Sequence, residues 1–141
     1  METATARTRN STRHLAARLT AEADWRVPLG EFLDQFYLCW PDRAAMADML
    51  APAPEAALRP FEEALLAATA EQLAVQWQLP LPPWAAAAGY GLTEAVSLGP
   101  AWLPPGRLPH APPSFRARRL HTDPDPLRRA RRPALPLPGS Y

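Results

Sequence analysis

The chain has no lysine; all fifteen of its basic residues are arginine, so each positive side chain is a guanidinium that stays charged across the accessible pH range. It has one cysteine, Cys39, in the apolar run Leu38-Cys39-Trp40, which excludes a disulfide framework and reads as a small buried hydrophobe. No apolar stretch reaches the ~18 residues of a membrane span, and METATARTRN lacks the apolar region of a signal peptide. The expectation is a soluble, cytoplasmic protein without membrane contact. His14, His110 and His121 lie far apart, and the nearest approach to a metal site, His121 with Asp123 and Asp125, reads more simply as a turn with a helix cap at DPDP, so neither a metal site nor a cofactor is expected. No glycine-rich phosphate loop, no GxSxG elbow and no Cys-His pair is present, and no catalytic group is assigned.

Proline, by contrast, is abundant: 19 in 141 residues, ten of them among the last 41. A chain of this length supports one small domain, and the proline-rich final third limits the expected core to about 80 to 90 residues. Charge is uneven. The net value is +1, yet residues 1–20 carry +3, residues 21–100 carry −8 and residues 101–141 carry +6. An acidic body with basic ends predicts either that the tail folds back on the body or that the two surfaces meet different partners.

Four helical segments are legible. Asn10 or Ser11 caps a first helix to about Ala23, with Leu15, Ala16 and Leu19 as a thin stripe that lies on the surface of the core. Pro28 opens a second, running to Cys39, in which Leu29, Phe32, Leu33, Phe36 and Tyr37 form the strongest amphipathic pattern of the sequence. Asp42 caps a third over Ala44 to Leu50, with Met46, Met49 and Leu50 inward, and Ala51 to Ala57 is a loop. The fourth starts near Arg59, with Pro60 in its first turn and Glu62 and Glu63 at the positive end of its dipole. It stops at Gln78 and Leu79 before Pro80, Pro82 and Pro83. On its wheel Leu58, Phe61, Leu65, Leu66, Thr69, Leu73 and Trp77 share the buried arc, and Glu63, Ala67, Glu71 and Ala74 face solvent. Trp77 and Trp84 bracket the exit and are expected to pin the proline segment back onto this helix.

Beyond Trp84 the pattern weakens. Residues 92–98 read as a short helix or turn capped by Thr93, Ser114 to Thr122 as one short strand, and Asp125 to Arg128 as a helical turn. The fold class is therefore mainly α: a bundle of three to four helices followed by an extended proline-rich segment. The expected organisation is a disordered leader over 1–10, a helical domain over 11–100, an extended segment packed on it over 101–131, and a disordered tail over 132–141. Trp102 and Phe115, with Trp77 and Trp84, are the expected structural anchors.

Arg116, Arg118, Arg119, Arg128, Arg129, Arg131 and Arg132 form the one conspicuous cluster of candidate contact residues. It has the charge of a nucleic-acid footprint but only one interleaved aromatic, Phe115, and no helix-turn-helix signature. Pairing of these arginines with acidic helices, through Asp34, Glu63 or Glu71, or with a partner protein is the competing reading. Glu62, Glu63 and Glu71 read as a solvated acidic face rather than an acid-base pair.

In order, EFLDQF (Glu31 to Phe36), LAATAE (Leu66 to Glu71), LPLPPW (Leu79 to Trp84), AWLPPGR (Ala101 to Arg107) and PPSFRARRLHTDPDPLRRA (Pro112 to Ala130) resemble a group of small actinobacterial-type proteins. These carry EFLDxF, LAAxAE, LPxPxW, a PW-containing stretch and PxxFRxRNxFV ending in LxRA. The resemblance covers about residues 25 to 131 and departs at Arg119 to Thr122, where RLHT stands for RNxF. Some members of that group carry an N-terminal helix-turn-helix domain and are encoded beside predicted nucleotidyltransferase-like toxins. The resemblance implies a non-enzymatic protein-interaction module with an antitoxin-like or toxin-regulating role and a protein partner. The alternative is a nucleic-acid-associated accessory protein that uses the arginine-rich segment.

Overall fold

A computed structural model describes residues 10–99 and 111–136. Among them the chain is mainly helical: α1 (Thr12–Ala21), α2 (Arg26–Leu38), α3 (Arg43–Leu50), α4 (Pro60–Trp77) and α5 (Pro83–Ala86) precede a short strand β1 (Val96–Ser97), then α6 (Pro113–Arg116) and β2 (Leu120–His121). The strands pair in parallel, Val96 beside Leu120 and Ser97 beside His121.

Local chemistry accounts for most of the helix ends. The Asp42 carboxylate accepts from the Ala45 amide at 3.0 Å and starts α3. At the head of α4, the Arg59 amide donates to Glu62 Oε1 at 3.0 Å and the Arg59 guanidinium to Oε2 at 2.6 Å. These contacts hold the Glu62 carboxyl below its ordinary value, the guanidinium contributing most. Gln78, in the left-handed region at φ 56°, ends α4. The Leu79 amide reaches back to the Ala74 carbonyl at 2.9 Å and the Gln78 amide to that of Val75 at 3.4 Å, the Schellman pattern.

α4 is the axis of the fold, with α1, α3, α5 and α6 packed about it. The wheel reading of one buried arc is corrected here. Ala67 and Ala74 are buried, Glu62 is only 3% exposed, and Glu63 and Glu71 are half-buried rather than solvated. The alanines at 64, 67, 68, 70 and 74 leave backbone accessible for close approach, so neighbouring elements cover most of the helix, Val75 being left exposed. Periodicity alone does not show this, because alanine is compatible with either face.

The stripe on α2 is buried as expected, with Leu29, Phe32, Leu33, Phe36 and Tyr37 inward. α1 ends at Ala21, and Thr12, Leu15, Ala16 and Leu19 are all buried, so the thin stripe packs into the core instead of lying on its surface. Cys39 is half-buried, with its Sγ 3.6 Å from Met49 Sδ, not fully enclosed. Trp77, fully buried, packs against Trp40 and Tyr37 with ring centroids 5.0 and 5.8 Å away. Trp84 is half-buried on α5, which packs on α4, and its indole N–H donates to the Leu50 carbonyl at 3.0 Å, which ties the proline segment to the end of α3 as well.

Two further expectations are corrected. Residues 92–98 contain a strand, not a helix, because Val96 and Leu98 donate to the carbonyls of Arg119 and His121, partners that local sequence does not reveal. Ser114 to Thr122 is not one strand. Pro112 and Pro113 preset a helical turn, Arg119 turns the chain in the left-handed region at φ 63°, and β2 follows. Phe115, Leu120 and Leu127 are fully buried in the same core as the helices. Arg132 and Leu135, within the expected tail, are also partly buried. Trp102 and the leader over 1–9 lie outside the described residues.

The Tyr37 hydroxyl crosses from α2 to the C-terminal segment and donates to the Leu127 carbonyl at 2.7 Å. Burial pushes this phenol above its ordinary value, so its neutral form is favoured in the folded chain. The resulting stability is present below about pH 10, where the unfolded phenol still holds its proton, and is lost as pH rises beyond that. In a chain without lysine, the groups that share this alkaline range are the other two tyrosines and Cys39, which the Tyr37→Phe comparison holds constant. Unfolding titrations are expected to show stability falling above pH 10 with a slope approaching about 1.4 kcal/mol per pH unit, and Tyr37→Phe to flatten it. An equal slope in both chains contradicts the assignment.

Candidate functional site

The seven candidate arginines divide into three sets, and the division begins with α6. Phe115 anchors this single turn in the core, which aims Arg118 inward. Arg118 is 1% exposed, and its guanidinium plane is almost fully engaged. Nε donates to the Ala88 carbonyl at 2.8 Å, Nη1 to Glu71 Oε1 at 2.9 Å and to the Ser114 carbonyl at 2.8 Å, and Nη2 to the Ala85 carbonyl at 2.7 Å. The Tyr90 ring lies over the guanidinium carbon at 4.6 Å. The strand-free run AAAAGYG is therefore the receptor of this arginine. Gly89 makes it possible: its φ is +87°, its amide donates to Glu63 Oε1 at 2.8 Å, and a Cβ there would stand 2.9 Å from both Ala64 Cα and Arg118 Cδ.

Arg129 and Arg132 are also engaged within the chain. Arg129 forms a two-pronged pair with Asp34 of α2, at 2.9 and 2.8 Å, which holds the Asp34 carboxyl below its ordinary value. Gly30, one turn earlier, leaves room for that guanidinium; a Cβ would meet Nη1 at 3.0 Å. Arg132 pairs with Asp125 at 2.6 and 2.7 Å. Asp123 Oδ1 accepts from the Asp125 amide at 2.7 Å, so DPDP is a turn braced by an ion pair.

Arg119 reaches the Thr93 carbonyl at 2.9 Å. Arg116, Arg128 and Arg131 are exposed and form no ion pair among the described residues. The structure thus gathers Arg118, Arg129 and Arg132 into the fold, with Glu71 and Asp34 as receivers, and leaves Arg116, Arg128 and Arg131 at the surface. The residues missed in the sequence are Ala85, Ala88, Gly89 and Tyr90. A glycine between alanine and tyrosine is the available signal of close backbone approach, although nothing local says what approaches.

Three surface grooves stand beside this frame. One, of about 460 Å³ between α1, α2 and Arg131, carries His14, Arg18, Glu31 and Asp34, with Glu31 held by Arg18 and Asp34 by Arg129. A second, of about 470 Å³, lies beside Trp84, Pro54 and Leu58. The third, of about 420 Å³, runs between α4 and α6 and is floored by Val75, Leu79, Leu81 and Ala117. Among the described residues no group of three or more His, Cys, Asp or Glu could hold a metal ion, and no helix is long and apolar enough to cross a membrane. No protein-family model, curated protein or solved structure matches the chain.

Proposed function

We propose that the chain is a non-enzymatic protein-interaction module with an antitoxin-like role toward a toxin partner. The supporting observation is the division of the arginines. Those that carry the closest contacts serve the fold itself, while Arg116, Arg128 and Arg131 remain exposed, Arg131 on the groove between α1 and α2, and Val75 and Leu81 are uncovered on the groove between α4 and α6. Exposed arginines and uncovered aliphatic side chains are both surface features suited to protein interfaces. The residues behind the family resemblance also meet in space: Glu71 of LAATAE with Arg118 of PPSFRAR, and Asp34 of EFLDQF with Arg129 of LRRA.

The second reading, a nucleic-acid accessory role, rests on the same three exposed arginines. Salt separates the two. Retention of the co-expressed product of the adjacent gene through moderate salt is the expected result. Failure to retain it, together with DNA or RNA binding that collapses between low and moderate salt, replaces the interaction reading with the nucleic-acid one.

A further inference from the structure

The outward side of α2 carries a row of uncovered side chains. Val27, Glu31, Asp34, Gln35 and Leu38 fall within about 100° of arc on the helix, and Val27 and Leu38, three turns and about 16 Å apart, are 51% and 58% exposed. The groove between α1 and α2 follows the same row, lined by Glu31, Asp34, Gln35 and Leu38, with Arg18 of α1 and Arg131 of the C-terminal segment beside them. Charge is sorted along this row. At Glu31 one guanidinium serves two carboxylates, because Arg18 reaches both Glu31 at 2.5 Å and Glu22 at 2.6 Å, which leaves a formal charge of −1. One turn later the count is reversed. Arg129 pairs with Asp34 at 2.8 Å, and its hydrogen bonds, with the added charge of Arg131, hold that carboxyl below its ordinary value; two guanidinia around one carboxylate leave a formal +1. Arg131 forms no ion pair among the described residues.

We propose that this face pairs with itself: two copies of the chain associate through antiparallel α2 helices about a two-fold axis between residues 32 and 33, with Glu31 of each copy facing Arg131 of the other. Positions 27 and 38, and positions 31 and 34, share that midpoint. A two-fold axis there sets Val27 against Leu38 of the second copy and the negative step at Glu31 against the positive step at Asp34, and each contact occurs twice. The face is therefore complementary to itself, aliphatic on aliphatic and −1 on +1. Aliphatic burial supplies attraction, and the charge steps fix the antiparallel register, since a parallel pair would set like steps together. The other two grooves have no such polarity, each being lined by a single charged residue, Glu71 or Glu63. Self-association goes beyond the antitoxin-like reading and does not rest on it.

Sedimentation of the full chain over a series of concentrations is expected to show a monomer-dimer equilibrium. Leu38→Asp, at an exposed position, is expected to weaken the dimer about tenfold or more while the helical circular dichroism stays unchanged. Glu31→Arg and Arg131→Glu chains should each dimerise poorly alone, because like charges then face one another across the axis. Mixed, they should form a one-to-one heterodimer in which both opposite-charge pairs are restored, a recovery that misfolding cannot produce. A chain that stays monomeric throughout, a dimer indifferent to Leu38→Asp, or mixed variants that fail to recover overturns the proposal. A monomeric chain that still retains the co-expressed product of the adjacent gene leaves the interaction reading standing, whereas a dimer that fails to retain it removes that reading alone.

Discussion

Replacing Arg118 by alanine is expected to destabilise the folded chain by about 3 to 5 kcal/mol, the range for removing one member of a buried charge network. The truncation deprives the Ala85, Ala88 and Ser114 carbonyls of their guanidinium donors, leaves Glu71 without its counter-ion, and opens a void against Gly89 and Tyr90. The Glu71 side chain is 21% exposed and can recover some hydration, so the loss comes mainly from the enclosed carbonyls and the void. Arg118→Lys is expected to restore less than half of the loss, because an ammonium cannot spread its donors over four acceptors in one plane. Urea unfolding gives the magnitude. Arginine-specific proteolysis gives the location: cleavage after Arg116 and Arg119, slow in the wild-type chain, becomes fast in the variant. A loss under about 1 kcal/mol with unchanged cleavage would show that the segment is held by its apolar anchors alone.

Phe36→Ala is expected to cost a similar amount, about 3 to 5 kcal/mol, for a different reason. Phe36 has no exposed surface, stacks on Phe32 at 6.3 Å and meets the Tyr37 ring edge-on at 5.7 Å. Alanine forfeits the transfer energy of the ring and leaves a cavity that surrounding helices cannot fully close. Phe36→Leu keeps most of the volume and is expected to cost less than about 1.5 kcal/mol. The denaturation midpoint should fall with little change in its slope, because the surface exposed on unfolding is nearly the same. A loss below about 1 kcal/mol for the alanine variant would mean that α2 packs less tightly than its burial indicates.

The two substitutions mark two kinds of legibility. Phe36 could be assigned to the core from residues 29 to 37 alone, since spacing at three and four residues puts those side chains on one helical face whatever surrounds them. Arg118 could not. In sequence it is one of a run of arginines beside prolines, with the charge of a solvated tail, and its burial depends on carbonyls about 30 residues upstream and a carboxylate 47 residues away. The same limit explains β1 and β2, each two residues long, which among the described residues pair with each other.

What the sequence determined by itself was the four longer helices, α1 to α4, and most of their ends. Pro28, Asp42, Pro60 and the prolines after Leu79 act through dihedral limits and hydrogen bonds to near neighbours, and the stripe on α2 acts through helical periodicity. The tertiary structure alone decided that α4 is covered on most of its circumference, Val75 being left exposed, and that Arg118, Arg129 and Arg132 are paired within the fold while Arg116, Arg128 and Arg131 are exposed with no ion pair among the described residues. An alanine face and an arginine run have no intrinsic side to prefer. Burying a guanidinium becomes favourable only where several acceptors converge on it, and here the wrap of the C-terminal segment over α4 and Gly89 brings them together.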